Sequence, residues 1–507
     1  MSHYWFKGRS LGAGRMNTDP IASPGSADSL RVRNPRTGKI DFELALATAA
    51  DIEPRARAMR TAQQKWKRLS VKVRIEVLQA FNTALRSWRA DIVAALETDT
   101  GRRRIAGMEV DTVIDSIDNW CRLAPDLVQA HAERPAGNLP LVGVQQRLEP
   151  YALLGAITPW NFPMILSFID VVPALLAGCA ALIKPSEVTP RFSVPVEACI
   201  ATVPELRDVL GFVRGDGRSG AALIEHVDVV AFTGSVATGK KVAAAAAAAF
   251  IPAFLELGGK DPVILLPGSD LERASTAILR ASILSTGQAC QSLERIYVHE
   301  SQHDAFLALL SAKARAVPLS YPDISQGIIG PLIFDRQAEI IRQHIEDAVA
   351  KGAQIETGGE VRELDGGLWI EPTVISRVDH SMAVMTEETF GPVMPVMKYV
   401  DEAEAIALAN DTYYGLSGAV FGPNEDNALR VAGQIEAGAI SVNDAGMTTM
   451  VFDACKSAFR LSGMGPSRMG STGLTRFLRQ KAIYINRGPV VPIQATAEDP
   501  QEHRTSG

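Results

Sequence analysis

The sequence predicts an α/β fold, built on a mainly parallel sheet with helices on both faces. Two observations carry that expectation. From Tyr151 onward, short apolar runs alternate with helical patterns, and strand–helix alternation of this kind builds parallel sheets. The chain also has 507 residues, too many for one small core, so two or three domains are expected.

The elements follow in order. Residues 1–30 are polar, rich in Gly and Ser, and read as a mobile leader. Asn34-Pro35-Arg36-Thr37-Gly38 is a turn signal between short strands. Ala49–Leu69 and Val71–Asp99 read as helices, the second through Ile75, Leu78, Leu85, Ile92 and Leu96. Met108–Val128 reads as a third helix. Leu141–Pro150 alternates apolar and polar residues like an exposed strand. Strands are then expected at Ala152–Ile157, Ala180–Lys184, Val209–Val213, Val229–Thr233, Ala253–Leu257 and Val263–Leu266. The polyalanine run Ala243–Ala249 reads as a helix. Gly258-Gly259 is a plausible hinge, and a second alternating region continues to about Phe459. Beyond Arg487 the tail is Pro-rich and then polar.

Composition excludes some function classes. Apolar residues make up 47% and charged residues 21%, a soluble globular balance. The net charge is −6 and no long Lys/Arg run occurs, which argues against nucleic acid. The five cysteines, Cys121, Cys179, Cys199, Cys290 and Cys455, form no CxxC pair. An odd, scattered set suits a reducing compartment, and a cytoplasmic location is expected. No apolar run precedes Leu30, so no secretory signal is expected. Ile165–Ile183 is apolar enough to suggest a membrane span, but Asp170 and Pro173 make a buried helix the better reading.

Three familiar signatures fail on inspection. Gly215-Asp216-Gly217-Arg218-Ser219-Gly220 fits GxGxxG but lacks the later acidic residue that holds a ribose. Gly234-Ser235-Val236-Ala237-Thr238-Gly239-Lys240 nearly fits a P-loop, yet Lys241 stands where Ser or Thr must hold magnesium. A glycine turn opening a helix there can still face a phosphate. His299-Glu300-Ser301-Gln302-His303 fits HExxH, but His299 ends a strand and Ser301 reads as the helix N-cap. The two rings then share no face, and no metal is expected.

Other stretches carry chemistry. Leu255-Glu256-Leu257-Gly258-Gly259-Lys260 sets a carboxylate beside two glycines, and Gly287-Gln288-Ala289-Cys290 presents a thiol after a small-residue turn. A thiol and a carboxylate serving one pocket can form a thioester and hydrolyse it. Asn161, in Pro159-Trp160-Asn161-Phe162-Pro163, offers amide donors for an oxyanion, although an Asn there can also cap the next helix. Lys184-Pro185-Ser186-Glu187 sits past a strand, at the sheet edge where α/β proteins bind ligands; a surface ion pair is the alternative.

Together these stretches resemble the aldehyde dehydrogenase superfamily from about Arg33 to Tyr484. The motifs stand in the family's order, with Phe232-Thr233-Gly234-Ser235 and Glu387-Glu388-Thr389-Phe390-Gly391-Pro392 among them. The resemblance implies two Rossmann-like parallel-sheet domains plus a small β-arm for oligomerisation. It implies an NAD-binding domain at 31–130 and 151–258, a catalytic domain at 259–459, an arm at 131–150 and 475–490, and a tail at 491–507. It implies that Cys290 is the nucleophile, Asn161 the oxyanion donor with the Cys290 N–H, and Glu256 the base for deacylation. Lys184 and Glu187 would hold the adenosine ribose, and Gly234 and Ser235 would face the pyrophosphate. Glu388 would hold the nicotinamide ribose, with Phe390 against the nicotinamide and Trp160 near it. A dimer or tetramer is implied, its arm formed by His131–Pro150 with Lys481–Asn486.

The expected activity is oxidation of an aldehyde to its carboxylic acid, with NAD preferred and NADP possible. Glu187 would accept from a ribose 2′-hydroxyl and repel a 2′-phosphate, although Lys184 could tolerate one. Two alternatives stay open: a non-catalytic nucleotide-binding protein of the same fold, and an acyl transfer to coenzyme A. Asp453–Gly463 departs from the family's Pro-Phe-Gly-Gly pattern, so the substrate preference is least legible there. Met447, Met450 and Phe452 suggest an apolar wall and an apolar or aromatic aldehyde; Arg460 is a candidate for a carboxylate-bearing one. Cys455 reads as an inert structural thiol.

Overall fold

The computed structural model describes residues 29–129 and 132–496. Most of the expected leader, His131 and the end of the tail lie outside the described residues. Six strands form one sheet, in the order Gly463–Met464, Ala253–Glu256, Val229–Thr233, Leu153–Ile157, Ala180–Lys184, Leu210–Phe212. All pairings are parallel except that of Gly463–Met464 with Ala253–Glu256. Seven strands form a second sheet, in the order Gln354–Thr357, Thr373–Ser376, Val393–Tyr399, Leu293–His299, Asp261–Leu265, Gly418–Phe421, Ile440–Val442. Its only antiparallel pairing joins Gln354–Thr357 to Thr373–Ser376. The central strands are buried along their whole length, which is why they read as continuous apolar runs.

The first sheet lies in one core with the N-terminal helices. Thr48 and Asp51 form a capping box that starts the helix Ala49–Trp66. The single helix expected over Val71–Asp99 is two, Val71–Ser87 and Arg89–Thr100, broken at Trp88. The break lets Leu78, Phe81 and Leu85 enter the same core as Ile92 and Leu96. The third helix starts earlier than expected, running Arg103–Leu127.

The apolar stretch Ile165–Ile183 is not one helix. It divides among the helices Pro163–Phe168 and Val171–Ala177 and the strand Ala180–Lys184. Among the described residues, no helix is long and apolar enough to cross a membrane. Gly178, in a left-handed conformation (φ 107°), ends the second helix and turns the chain into the strand.

A third sheet stands apart, in the order Leu478–Asn486, Leu139–Pro150, Arg134–Ala136, with antiparallel pairing. The expected strand Leu141–Pro150 is present and starts two residues earlier, and it pairs with the late strand as expected. Leu139–Pro150 is the central strand, and among the described residues the open edges belong to Leu478–Asn486 and to the short Arg134–Ala136.

Candidate active site

Strands of the first sheet end at one edge. Ile157 and Lys184 pair there, Thr233 pairs with Glu256, and the chain leaves each for a loop. Asn161, Lys184, Gly234, Ser235 and Glu256 therefore share the carboxyl edge of a parallel sheet, where ligands of such folds bind. The second sheet brings Cys290, Glu388 and Phe390 to the same place through its own loops.

The thiol loop has a forced backbone. Ser285, Thr286 and Gly287 all take left-handed conformations, with φ of 57°, 61° and 69°. A side chain on Gly287 would strike the backbone of Gly391, so only glycine fits. Gln288 is buried and pins the loop: its Oε1 accepts from the Ile333 N–H at 2.9 Å, and its Nε2 donates to the Ser285 carbonyl at 3.0 Å. Thr286 Oγ1 donates to the Gly330 carbonyl at 3.0 Å. Cys290, two residues on, stays partly exposed.

Asn161 is brought to that loop. Its Nδ2 donates to the carbonyl of Gln288 at 2.9 Å. An amide nitrogen has two hydrogens, so one remains for another acceptor. Its own carbonyl accepts from Arg102 Nη2 at 2.6 Å. Arg102 is buried beside Glu109 (3.9 Å), whose other oxygen accepts the N–H of Met164 at 2.9 Å. Burial raises the Glu109 carboxyl to about 7 and lowers the Arg102 guanidinium to about 10. Arg102 and Glu109 thus fix the loop at Asn161 and just after it.

Glu256 is half-buried at the end of its strand, paired with Gly463 on one side and Thr233 on the other. Its charge acts on the Cys290 thiol. Burial pushes that thiol up to about 12; Lys456 opposes the shift, while Glu256, Glu388 and Asp261 reinforce it. Nearby, Asp170 is buried between Arg468 (2.6 Å) and Arg476. Burial raises the Asp170 carboxyl, but the two guanidiniums outweigh that and hold it below the usual range. Arg468 also donates to Thr233 Oγ1 at 2.7 Å, locking the strand end beside Glu256.

The Glu388–Phe390 loop hangs from a buried pair. Glu294 accepts the N–H groups of Thr389 (2.7 Å) and Phe390 (2.8 Å), and Lys260 Nζ bonds Glu294 at 2.6 Å and Thr389 Oγ1 at 3.1 Å. Phe390 takes a left-handed φ of 52° and sets its ring 5.3 Å from Trp160, edge-on. Glu388 accepts the Gly259 N–H at 3.1 Å, and a side chain on Gly258 would strike its carboxyl. Burial and the neighbouring Glu294 raise the Glu388 carboxyl to about 8. Lys184 is buried and bonds the half-exposed Glu187 at 2.8 Å. Ser235 Oγ caps the helix Val236–Ala248 by accepting the Thr238 N–H at 3.3 Å.

The rejected motifs have structural roles. In the GxGxxG stretch, Asp216 caps the helix Gly217–Ile224, filling the place an anion would take. In the HExxH stretch the cap is His299 rather than Ser301; its Nδ1 accepts the Ser301 N–H because the helix starts at Glu300. His303 is buried against Asp304. Among the described residues, no group of three His, Cys, Asp or Glu could hold a metal ion.

Sequence reading missed Gln288, Arg102, Glu109, Lys260, Glu294 and Arg468. One signal was available: Leu293-Glu294-Arg295-Ile296 places two charges inside an apolar strand, which demands buried partners. One further expectation fails, and one candidate is excluded. Cys455 is exposed rather than inert, and hydrogen bonds from Thr472 lower its thiol. Arg460 is not free for a substrate, since it is tied to the Asn410 carbonyl (2.7 Å) and to Glu436.

Comparison with known proteins decides the family. The aldehyde dehydrogenase family model matches residues 22–483. The chain belongs to the aldehyde dehydrogenase family. A relative in Mycolicibacterium smegmatis, assigned as an NADP(+) succinate-semialdehyde dehydrogenase, is 32% identical over 89% of this chain and 87% of its own. Among solved structures, PutA of Anabaena variabilis, assigned as an aldehyde dehydrogenase, is 52% identical with a TM-score of 0.90, over 92% of this chain and 99% of that one. Betaine aldehyde dehydrogenase of Staphylococcus aureus, solved with NAD+, is 30% identical with a TM-score of 0.86, over 92% and 93%.

Proposed function

We propose that this aldehyde dehydrogenase oxidises an aldehyde to the free carboxylic acid through a covalent adduct on Cys290. The observation that carries the reading is the bond from Asn161 Nδ2 to the Gln288 carbonyl, which holds an amide donor beside the thiol loop. Cys290 Sγ attacks the aldehyde carbon, and the carbonyl oxygen becomes an alkoxide. The free amide hydrogen of Asn161 and the backbone N–H of Cys290 stabilise that charge. The bound nicotinamide supplies a hydride acceptor. A thioester then remains on Cys290, and Glu256 takes a proton from the water that cleaves it. The thiol rests protonated, because its pKa is pushed up to about 12, so it gives up its proton as it attacks. Glu256 is the carboxylate set to receive it, and it passes that proton to solvent before it serves the hydrolytic water.

The residues present fit a nicotinamide dinucleotide. Ser235 caps Thr238, and the preceding N–H groups of that helix start are free to meet a pyrophosphate. Glu187 and Glu388 offer acceptors for two riboses, and Trp160 and Phe390 offer aromatic surface for the nicotinamide. Residues 31–130 and 151–258 make up the dinucleotide domain in this reading, and 259–459 the catalytic one. NAD is preferred over NADP, because the Glu187 carboxylate opposes a 2′-phosphate. The arm of Leu139–Pro150 and Leu478–Asn486 joins copies into a homo-oligomer through its open edge.

The test is NAD reduction over a panel of aldehydes, with product analysis with and without coenzyme A. Wild type should turn over without coenzyme A and release the acid, and Cys290→Ala should be silent. A silent wild type supports the non-catalytic reading instead. Clearly better efficiency with NADP would overturn the cofactor preference.

A further inference from the structure

Lys456 carries a charge that acts on the thiol and that nothing so far explains. It lies in the loop that departs from the family's pattern, between the strands Ile440–Val442 and Gly463–Met464. That loop is held closely. The Lys456 N–H donates to Ser467 Oγ at 3.0 Å, the Phe459 N–H donates to the Gly415 carbonyl at 2.9 Å, and Ser457 packs on Gly438. The loop ends at Gly463, which pairs with Glu256. The Lys456 ammonium nitrogen is buried and makes no hydrogen bond. Burying an ammonium without partners is costly, so an evolved site keeps one where something comes to pair it.

Its surroundings say where that something sits. The Lys456 charge acts on the Cys290 thiol and on the Asp261 carboxyl. Those two are neighbours: a side chain on Gly259 would strike both the Cys290 carbonyl and Asp261 Oδ1. Asp261 does not pair the ammonium. It is buried and bonded to the hydroxyl and N–H of Ser417, and burial raises it to about 7. The other cation considered for substrate, Arg460, is occupied. Of the residues expected to make an apolar wall, Met450 and Phe452 are 54% and 40% exposed and Met447 is half-buried.

We propose that Lys456 is a specificity-determining residue, whose ammonium takes a carboxylate carried by a short aldehyde while Cys290 attacks its other end. The inference rests on the dehydrogenase reading above and names its substrate class. One ammonium balances one carboxylate. A phosphate would bring a second negative charge in among Glu256, Glu388 and Asp261, which makes it the poorer match. The inference names an oxo acid where the sequence suggested an apolar or aromatic aldehyde.

The test compares matched pairs with NAD: 4-oxobutanoate against butanal, and 4-carboxybenzaldehyde against 4-methylbenzaldehyde. In wild type, kcat/KM should favour the carboxylate in at least one pair by roughly 10- to 100-fold, the range of a charged hydrogen bond. In Lys456→Met that ratio should fall toward one, mainly through KM, and Lys456→Arg should restore part of it. Should Lys456→Met fail to fold, wild type alone decides, because its preference for the carboxylate should shrink as salt is raised. A wild-type ratio near one in both pairs overturns the inference while leaving the dehydrogenase reading intact. So does an equal loss on both members in Lys456→Met with a shifted pH profile of Cys290 alkylation, which would mean that Lys456 serves the thiol. No NAD reduction with any aldehyde overturns both readings together.

Discussion

At the scale of single residues, the site depends on donors and protons being placed before the substrate arrives. Asn161 is held by its own Nδ2 bond to Gln288 and by Arg102 on its carbonyl, so it needs no rearrangement to meet an alkoxide. Asn161→Ala should therefore lower kcat by roughly 10²–10³, about 3–4 kcal/mol, with a smaller change in KM. An unchanged kcat would remove Asn161 from the oxyanion site. The thiols make a second prediction, and its sign follows from their surroundings. Burial favours the neutral form of Cys290 and raises it to about 12, whereas Cys455 is exposed and lowered by hydrogen bonds from Thr472. Iodoacetamide should modify Cys455 first in the free protein. In a Cys455→Ala background, Cys290 labelling should climb about tenfold per pH unit, because only the thiolate reacts. A plateau near neutral pH would show that Cys290 rests ionised.

At the scale of elements, the buried Lys260–Glu294 pair is the hinge pin of the Glu388–Phe390 loop. Glu294 holds two backbone N–H groups of that loop as well as the ammonium. Glu294→Gln strands Lys260 without a counter-ion and should cost about 3–5 kcal/mol in a denaturant titration, with a raised KM for the dinucleotide. Stability within about 1 kcal/mol of wild type would show that the pair is dispensable. This pair also marks where sequence reading stops. The strands of the first sheet were legible because a strand buried on both faces is an unbroken apolar run, as in Leu153–Ile157 and Val229–Thr233. Cys290, Glu256 and Asn161 could be picked out as candidates because short motifs carry them. Glu294 could not, since a charge in a strand has meaning only once its partner on another element is known. The break at Trp88 escaped for a similar reason: periodicity runs through it, and only the packing against a shared core bends the helix. Leu141–Pro150 was legible as a strand by its alternation, which says which face is apolar and nothing about which strand lies beside it; its partner Lys481–Asn486 came from the family resemblance.

At the scale of the whole molecule, the open edge of Leu478–Asn486 predicts assembly. Leu139, Leu141 and Tyr484 are exposed on this arm, at 54%, 60% and 71%, beside a row of unpaired backbone groups. Light scattering should give a mass of at least two chains, and Ile483→Pro should shift it toward one; a monomeric wild type would refute the assembly. The path of the chain carries a further consequence. After building the second sheet it returns to lay Gly463–Met464 on the strand of Glu256, then crosses to the arm. The two halves are therefore laced together like fingers rather than strung like beads. A break in the buried connection at Gly258-Gly259 would release neither half, and neither can be cut out at one boundary and traded between proteins as a cassette. Inheritance of this catalyst is all or nothing.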